Sequence, residues 1–577
     1  MAAQCVMVLG TTSGAGKSWL TTALCRHYAR QGLKVAPFKA QNMSNNARVV
    51  ATFVDAPGGF AAGPSQGETR PPRGAGSHTQ WATVGAEIGS AQYFQALAAR
   101  AVPEVRMNPL LLKPERDTHS QVVLLGQVDA ELTRMPWRGR SEKVWPVIAR
   151  ALDELRAEND VVVIEGAGSP AEINLQASDI VNMRVALYAN AACLLVTDID
   201  RGGAFAHLYG TWALLPEPER ALIKGYVLNK FRGDASLLAP APQMLQDLTG
   251  VPTVATLPMW WQHGLPEEDG VFDDRSTYIA PTLVASRTAL PPEGANFGFA
   301  ALREPRGGPS ENCPSPYTPW KTIAVIVYPR ISNLDEFQSL KNIPGVRLQW
   351  MRSPAELAGL TPADWIILPG SKHTSGDLAW LRQQGLDAAI ARHAGQGGAV
   401  LGICGGLQML GEALIDPHGI DGNAPGLGLL PLVTVFETGK TVQRTTCCFD
   451  IGMAGAWAAL AGVQVSGYEI HHGQTQQHPA MAKAGDVARV AMPGGLAWQN
   501  GAGNVLGLYL HGLFEDPATL QALFGASLGG PVPTLDAVFD GLADYIEQHF
   551  EPDFLSALVR GDAVRSIASG ADTPGPA

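Results

Sequence analysis

Cys404 is the residue of this chain whose sequence neighbours best suit a nucleophile. It lies in the stretch GGAVLGICGGLQMLG, where an apolar run breaks at a Gly-x-Cys-x-Gly turn. A buried strand that turns sharply into a helix presents the side chain at its tip, and the helix N-terminus favours the thiolate. We therefore interpret Cys404 as a nucleophile on a strand-to-helix elbow. A buried structural cysteine between glycines would give the same local pattern.

Two other stretches carry groups that could complete a site around this thiol. The stretch NVLGLYLHGLF brings His511 to the end of a third apolar strand, with a glycine directly after it. The stretch WIILPGSKHT ends a further strand in a glycine turn, so the amides of Gly370 and Gly405 are candidates for an oxyanion hole. His471, in GYEIHHG, is a competing histidine, which we rank second because His511 closes a strand.

A cysteine, a later histidine and a glycine turn in this order resemble the class I glutamine amidotransferase domain, over most of residues 321–550. The resemblance implies that Cys404 attacks the side-chain amide of glutamine and that His511 accepts and returns the proton. The family pattern places Glu two residues after this histidine, whereas Leu513 occupies that position here. Glu515 is then our candidate for orienting the imidazole.

Near the start of the chain, GTTSGAGKS follows the apolar strand CVMVL and precedes a helical pattern. Such a loop aims backbone N–H groups at phosphate oxygens, while a lysine adds charge and a serine hydroxyl suits Mg²⁺. The spacing resembles the dethiobiotin-synthetase-like branch of P-loop proteins, which implies ATP as the nucleotide. The residues predicted to bind it here are Gly10, Thr11, Thr12, Gly14, Gly16, Lys17 and Ser18.

Polar residues recur at the ends of later apolar strands, at the sheet edge where the P-loop must lie. Glu165 ends VVVIE, and we predict that it holds Mg²⁺ together with Ser18. Asn229 follows another strand and is a candidate for the adenine-facing loop. Candidates for the acceptor-substrate pocket come from the strand-end stretch CLLVTDIDRGGAF and from KAQNMSNNARVV, namely Asp198, Asp200, Arg201, Asn42 and Asn45.

Composition argues against several other classes of protein. The net charge of −11 provides no basic field for nucleic acid and no reason to expect a membrane surface as partner. The seven cysteines form neither a disulfide framework nor a metal-ligand spacing, and no apolar run reaches membrane-spanning length. We expect a cytoplasmic enzyme that acts on small molecules.

Strand and helix alternation predicts an α/β protein of two domains. The first, residues 1–266, is expected to be a parallel-sheet, three-layer P-loop domain with a loop insertion at about 52–82. Residues 267–320 are Pro- and Gly-rich and are interpreted as a linker. Residues 321–555 are assigned to a flavodoxin-like glutamine amidotransferase domain, and residues 556–577 to a frayed tail.

The whole motif set resembles the cobyric acid synthase family of cobalamin biosynthesis; besides the stretches above it includes EIGSAQ, MNPLLLKP, EGAGSPAEINL and PRISN. That resemblance implies ATP- and glutamine-dependent amidation of the b, d, e and g carboxylates of adenosylcobyrinic acid a,c-diamide. Two alternatives remain open at this point. One is a cobyrinic acid a,c-diamide synthase, and the other is a partition-type regulatory ATPase with a degenerate glutaminase domain.

Overall fold

The computed structural model of the chain describes residues 3–55, 59–61, 82–116, 118–260, 263–266, 321–525 and 534–560. The predicted linker at 267–320, most of the predicted insertion at 52–82, and residues 561–577 of the predicted tail lie outside these residues. Within the described residues the chain forms two α/β domains, each built on a largely parallel sheet. The predicted fold class is confirmed.

The first domain contains thirteen strands and eight α-helices among the described residues. The strands are Gln4–Gly10 (β1), Val35–Phe38 (β2), Gln41–Met43 (β3), Ala47–Asp55 (β4), Gly59–Ala61 (β5), Ala82–Gly89 (β6), Leu110–Arg116 (β7), His119–Leu124 (β8), Gln127–Val128 (β9), Val161–Glu165 (β10), Ala192–Asp198 (β11), Ile223–Phe231 (β12) and Thr253–Pro258 (β13). The helices are Lys17–Arg30 (α1), Ser90–Ala98 (α2), Ala130–Arg134 (α3), Trp137–Glu158 (α4), Met183–Ala189 (α5), Ala204–Leu214 (α6), Glu217–Arg220 (α7) and Ala241–Thr249 (α8).

The central sheet of this domain is six-stranded and parallel, in the order β13-β12-β11-β1-β10-β2. Along β1 the buried side chains alternate, so that Met7 and Leu9 enter one apolar core and Val6 and Val8 enter another on the opposite face. Helices cover both faces, as expected for a parallel sheet that is buried on both sides. Smaller sheets, β3-β7-β8-β9 and β5-β4-β6, flank this centre.

The second domain and the C-terminal helices follow from residue 321. The strands are Lys321–Ile326 (β14), Ile331–Ser332 (β15), Val346–Met351 (β16), Trp365–Leu368 (β17), Gly370–Ser371 (β18), Ala399–Ile403 (β19), Ala413–Ile415 (β20), Ala424–Pro425 (β21), Leu432–Cys448 (β22), Gln464–Gln477 (β23), Arg489–Met492 (β24), Ala497–Gln499 (β25) and Val505–Leu508 (β26). The helices are Gln338–Lys341 (α9), Pro354–Leu357 (α10), Thr374–Gln383 (α11), Leu386–Gly395 (α12), Gly405–Leu410 (α13), Pro479–Lys483 (α14), Pro517–Phe524 (α15), Leu535–His549 (α16) and Phe554–Arg560 (α17).

Five parallel strands of the second sheet stand in the order β16-β14-β17-β19-β26, and β25 and β24 extend the sheet antiparallel. In chain order the parallel strands are therefore second, first, third, fourth and fifth across the sheet, which is the flavodoxin-like arrangement. A long hairpin, β22 and β23, belongs to a separate four-stranded sheet, β21-β20-β22-β23, and contacts β4 and β6 of the first domain.

The C-terminal helices correct the predicted extent of the second domain. Helix α16 packs on α1, and Phe539, Leu542 and Ile546 lie in the same apolar core as Leu20 and Leu24 of the first domain. The periodicity of residues 535–546 predicts an apolar stripe but does not specify which sheet that stripe covers. Residues 556–560, expected to be a frayed tail, belong to α17, which packs against the first domain.

Polar contacts fix the C-terminal helices in this position. Arg26 of α1 is buried and donates to Asp536 and Asp540 of α16 over 2.8 Å each. The Tyr28 hydroxyl donates to the Leu555 carbonyl over 3.0 Å. The second half of the chain thus ends on the first domain.

Candidate active sites

The glycine loop at residues 10–16 joins β1 to α1. Gly14 and Gly16 have left-handed φ values of 72° and 98°, which a side chain would strain. At Gly16 a Cβ would also lie 2.1 Å from Nδ2 of Asn229. The conformation of the loop therefore depends on these glycines, as the phosphate-binding pattern predicts.

Lys17 lies folded over the loop, where its Nζ donates to the carbonyl oxygens of Thr12 at 3.0 Å and Gly168 at 3.2 Å. An ammonium group in this position is within reach of a phosphate bound by the loop amides. The Thr11 hydroxyl donates to Thr197 over 3.0 Å and ties the start of the loop to β11. The predicted phosphate-binding residues are thus brought together at one sheet edge.

Glu165 ends β10 beside the loop and is fully buried. Its Oε1 accepts from Ser18 Oγ and from Lys39 Nζ, each at 2.8 Å, and its Oε2 accepts from Gln95 at 2.5 Å. Burial alone would raise the pKa of Glu165, but the Lys39 ammonium and the hydrogen bonds hold it below its usual value. The carboxylate is therefore ionised at neutral pH.

The Ser18 hydroxyl and the Glu165 carboxylate are hard oxygen donors within hydrogen-bond distance of each other, which fits Mg²⁺ chemically. Among the described residues, no group of three or more His, Cys, Asp or Glu side chains is arranged to hold a metal ion. The remaining ligands of Mg²⁺ here would then be phosphate oxygens and water, as is common for this ion.

Asn229 donates from Nδ2 to the Ala15 carbonyl over 2.9 Å, so it braces the loop from the end of β12. The neighbouring Lys230 donates to Gly14 O over 2.8 Å and pairs with Asp198 at 3.2 Å. The sequence predicts that Asn229 faces adenine, whereas in the structure its side chain contacts the P-loop backbone. The adenine role stays a prediction.

The predicted acceptor-pocket residues divide into two groups. Asp198 pairs with Arg201 Nε at 3.5 Å, and Asp200 accepts from Arg232 Nε at 2.7 Å, all at the mouth of the sheet beside the loop. Asn42 is buried and donates to Gln92 over 3.3 Å, whereas Asn45 Oδ1 is buried without a hydrogen-bond partner among the described residues. An orphaned buried oxygen is a plain candidate for contact with a ligand.

The thiol of Cys404 stands on the predicted elbow between β19 and α13. Its φ of 52° is left-handed, an uncommon and costly conformation for a residue with a side chain. At Gly406 a Cβ would lie 1.9 Å from the Leu368 carbonyl oxygen, so the glycine after the elbow is required by close packing. A strained turn between close-packed strands is the geometry of the strand-to-helix elbow on which other proteins carry a nucleophile.

His511 follows β26. The carboxylate beside it is that of Glu336, not that of Glu515. His511 Nδ1 lies 3.1 Å from Glu336 Oε1, and the Gly512 amide donates to Glu336 Oε2 over 2.9 Å. The prediction for Glu515 as orienting carboxylate is wrong, because the carboxylate of Glu515 instead accepts two hydrogen bonds from Arg48, of 2.8 and 2.6 Å.

Burial opposes the charged imidazole, but the field of Glu336 and a hydrogen bond with Cys404 raise the pKa of His511 to about 10. The imidazole of His511 therefore holds its proton at neutral pH, beside the Cys404 side chain. Cys404, His511 and Glu336 thus lie in the arrangement that a nucleophile, a proton carrier and an orienting carboxylate would need.

His471 has a different environment. Its Nδ1 lies 2.8 Å from the Gly473 carbonyl and its Nε2 lies 3.2 Å from Glu469 Oε2, while its ring stacks on Tyr509. Both ring nitrogens are thus engaged within the β23 hairpin and its neighbours. The ranking of His511 before His471 stays a prediction.

The predicted oxyanion glycines lie on adjoining turns. Gly370 begins β18, and a Cβ there would lie 3.0 Å from His511 Cε1. At Gly405 a Cβ would lie 2.7 Å from the Ser371 backbone nitrogen. The turn at Gly370 therefore lies beside the imidazole, and Gly405 lies beside the turn at Ser371. The role of the two amides stays a prediction.

Sequence reasoning missed Glu336, Lys39 and Gln95. Glu336 stands in ISNLDEF, in the helical turn Leu334–Phe337, well beyond the end of β14 at Ile326. Lys39 directly follows the last residue of β2, beside the QNMSNN stretch. The strand-end rule applied to every parallel strand would have found Lys39, but not Glu336.

Helices of the described part of the chain contain no segment that is long and apolar enough to cross a membrane.

The model of the CobQ/CobB/MinD/ParA nucleotide binding domain matches residues 6–264, and that of the CobB/CobQ-like glutamine amidotransferase domain matches residues 322–519. The chain is 73% identical to a cobyric acid synthase of Polaromonas sp. over 96% of this chain and 98% of that protein. It is 69% identical to proteins of the same name from Polaromonas naphthalenivorans and Albidiferax ferrireducens, over 97% of this chain and 100% of each.

Proposed function

The chain belongs to the cobyric acid synthase family, an amido-donor-dependent group of ligases, and on that premise we propose the reaction and the residues that carry it. The proposed reaction amidates the b, d, e and g carboxylates of adenosylcobyrinic acid a,c-diamide with ammonia released from glutamine. Each amidation consumes one ATP through an acyl phosphate. The name shared by relatives over nearly the whole chain favours this reaction over the a,c-diamide synthase and the partition-type ATPase.

One observation supports the proposal most. A single chain combines a P-loop centre, with Lys17, Ser18 and Glu165, and a separate thiol centre, with Cys404, His511 and Glu336. An enzyme that activates a carboxylate with ATP and takes nitrogen from glutamine needs two such centres, because the two reactions require different electrophiles and nucleophiles.

At the thiol centre, Cys404 Sγ attacks the side-chain carbonyl carbon of glutamine. His511 donates its proton to the departing nitrogen, which leaves as ammonia, and water then hydrolyses the thioester to glutamate. The Glu336 carboxylate keeps the imidazole oriented with Nδ1 toward it and stabilises the positive charge. The amides of Gly370 and Gly405 are proposed to donate to the tetrahedral oxyanion.

At the P-loop centre, an oxygen of the acceptor carboxylate attacks the γ-phosphorus of ATP and ADP leaves. Ammonia then attacks the acyl carbon and phosphate leaves, so that an amide forms. The loop amides and Lys17 are proposed to hold the transferring phosphoryl group. Mg²⁺, when bound by Ser18 and Glu165, would neutralise charge that develops on the phosphate oxygens. Asp198, Asp200, Arg201, Asn42 and Asn45 are proposed to line the acceptor pocket.

Cys404→Ala tests this assignment in one experiment with two nitrogen donors. The variant is expected to lose glutamine-dependent amidation and to keep ATP-dependent amidation when ammonium salt is supplied at alkaline pH. Mass spectrometry of the corrinoid product counts the amides added. Cys448→Ala, at an exposed cysteine of the same domain, is the matched control and should keep both reactions.

Two results would contradict the proposal. If Cys404→Ala still uses glutamine, Cys404 is not the nucleophile. Loss of the ammonium reaction as well, in a variant that melts like the wild type, would mean that this cysteine does not act in a separate ammonia-producing centre.

A further inference from the structure

Arg48 comes from the P-loop domain, yet its guanidinium lies among the residues that surround His511. It is the second residue of β4, and its side chain is buried. It donates to Glu515 Oε2 at 2.8 Å and Oε1 at 2.6 Å, and it forms a short ion pair with Asp335. Such a two-pronged arrangement is the geometry in which arginine fixes carboxylates most firmly.

The two carboxylates that Arg48 binds lie on the two segments that build the proton-carrying pair. Asp335 precedes Glu336 in the helical turn Leu334–Phe337. Glu515 closes the turn Leu513–Glu515, and its amide donates to the Gly512 carbonyl over 3.0 Å. Gly512 in turn donates to Glu336 over 2.9 Å. Movement of either carboxylate would therefore shift Glu336 relative to His511.

A third contact reaches the imidazole through an aromatic ring. The Arg48 guanidinium carbon lies 5.1 Å from the centre of the Tyr468 ring, and that ring stacks on His511 with centres 5.3 Å apart and planes at 20°. The backbone of Tyr468 also pairs with His511, whose amide donates to the Tyr468 carbonyl over 2.9 Å. Arg48, Tyr468 and His511 thus form one stack.

Further contacts hold Arg48 in place from its own domain. The ring of Phe94 lies 4.9 Å from the guanidinium carbon, and Ser90 Oγ donates to Asp335 Oδ2 over 3.1 Å. Close by, the amide of Leu334 donates to Asn46 Oδ1 over 3.0 Å. Residues 46–48 therefore lie directly against the turn that carries Glu336.

Charge explains why this contact matters beyond domain packing. Asp335, Glu336 and Glu515 are three carboxylates in one small region, and Arg48 is the cation that pairs with the two carboxylates not facing His511. Without it, those carboxylates would repel Glu336 or take up protons and move.

We propose that Arg48 is a positioning residue for glutamine hydrolysis, through which the P-loop domain holds Glu336 and His511 in their working geometry. The inference rests on the proposed function, because it takes Cys404 and His511 to be the glutaminase centre. It implies that the centre is completed only when the two domains are docked.

Arg48→Gln tests the inference in the full-length protein, with glutamate release measured against glutamine concentration. We expect kcat to fall by about 10- to 100-fold, since small displacements of a catalytic group have effects of this order. KM for glutamine should stay near the wild-type value, because Arg48 contacts Asp335, Glu515 and the Tyr468 ring rather than Cys404. Ammonium-dependent amidation and the melting temperature should remain close to those of the wild type.

Three further variants sharpen this test. Arg48→Lys keeps the charge without the planar fork and should recover part of the lost rate. Asp335→Asn removes one acceptor and should lower kcat in the same direction. Lys440→Gln is the matched control: it breaks another buried contact between the domains, with Glu87, which keeps its 2.7 Å bond to Lys113. The glutaminase rate of this control should be retained.

The inference is overturned if Arg48→Gln hydrolyses glutamine at the wild-type rate. It is also overturned if glutaminase activity, ammonium-dependent amidation and melting temperature fall together, or if Lys440→Gln loses as much glutaminase activity as Arg48→Gln, because Arg48 would then serve only in docking. Wild-type protein that released no glutamate would instead overturn the proposed function, and this inference with it.

Discussion

The two centres of this protein are assembled in opposite ways. The P-loop centre takes its loop and its lysine from one continuous run at residues 10–18, and glycines at 14 and 16 supply its shape. The thiol centre joins Cys404 and His511 to Glu336, which lies 175 residues before the histidine, and Arg48 reaches it from the other domain. The contiguous loop of the P-loop centre depends on local backbone conformation, although Glu165 joins it from a distant strand. The dispersed thiol centre depends on tertiary and interdomain packing.

This difference predicts how each centre responds to substitution. The P-loop centre should lose all amidation activity when the one charged side chain of its loop is removed. In a dispersed centre, the loss of activity should become smaller as the substituted residue lies farther from the reacting atoms.

Lys17→Ala should have the largest effect. Amidation with glutamine and with ammonium should both fall below detection, because the transferring phosphoryl loses the charge that the loop amides alone cannot replace. Glutamine hydrolysis should survive, which sharpens the separation of the two centres. Lys224→Ala, at a surface lysine of the same domain, is the control, and the corrinoid product is measured by mass spectrometry. Normal amidation by Lys17→Ala at saturating ATP would contradict the P-loop assignment.

Glu336→Gln should lower glutamine hydrolysis by about 100-fold or more, in the manner of a lost orienting carboxylate. Without the Glu336 charge, burial dominates and the pKa of His511 drops from its raised value of about 10. The imidazolium would then lose its proton at lower pH, so the alkaline limb of kcat/KM for glutamine should move toward neutral pH. Ammonium-dependent amidation should persist. An unchanged pH profile would show that Glu336 does not govern this proton.

Leu542→Ala should act on stability instead of chemistry. This side chain is fully buried between α16 and the first domain, so its truncation should cost about 2–5 kcal/mol. Chemical denaturation followed by tryptophan fluorescence measures the shift. Leu237→Ala, at an exposed leucine, is the control. A negligible shift would mean that the C-terminal helix contributes little to the first domain.

His471→Asn should have the smallest effect, with most of the glutamine-dependent rate retained, because both ring nitrogens are bonded away from the thiol. His511→Asn, compared in the same assay, should lose nearly all of it. Equal losses in the two variants would mean that the dispersed centre includes both histidines.

The elements that sequence could predict are those whose signal is local. The loop at residues 10–18, the elbow at Cys404 and the strand-end position of Glu165 all follow from neighbours a few residues away. The identity of the carboxylate beside His511 could not be predicted in this way. Glu515 is near His511 in sequence, whereas Glu336 comes near His511 only after β14 and β26 enter one sheet. Strand order decides this, and periodicity does not encode strand order.

The placement of helix α16 could not be predicted for a related reason. Its apolar stripe is plain in the sequence, but two parallel sheets were available to receive it. The ion pairs of Arg26 with Asp536 and Asp540 help to place α16 on the first domain. Because these residues are more than 500 positions apart, no local sequence pattern predicts the pairs.

The return of residues 535–560 to the first domain has a practical consequence for anyone who divides the gene. A polypeptide ending at residue 266 would present the bare apolar flank of α1 and β13 to water, and it would be prone to aggregate. A productive split would instead give the N-terminal fragment its own copy of residues 535–560, joined by an added linker. In coding order these helices come last, but in three dimensions they complete the first domain.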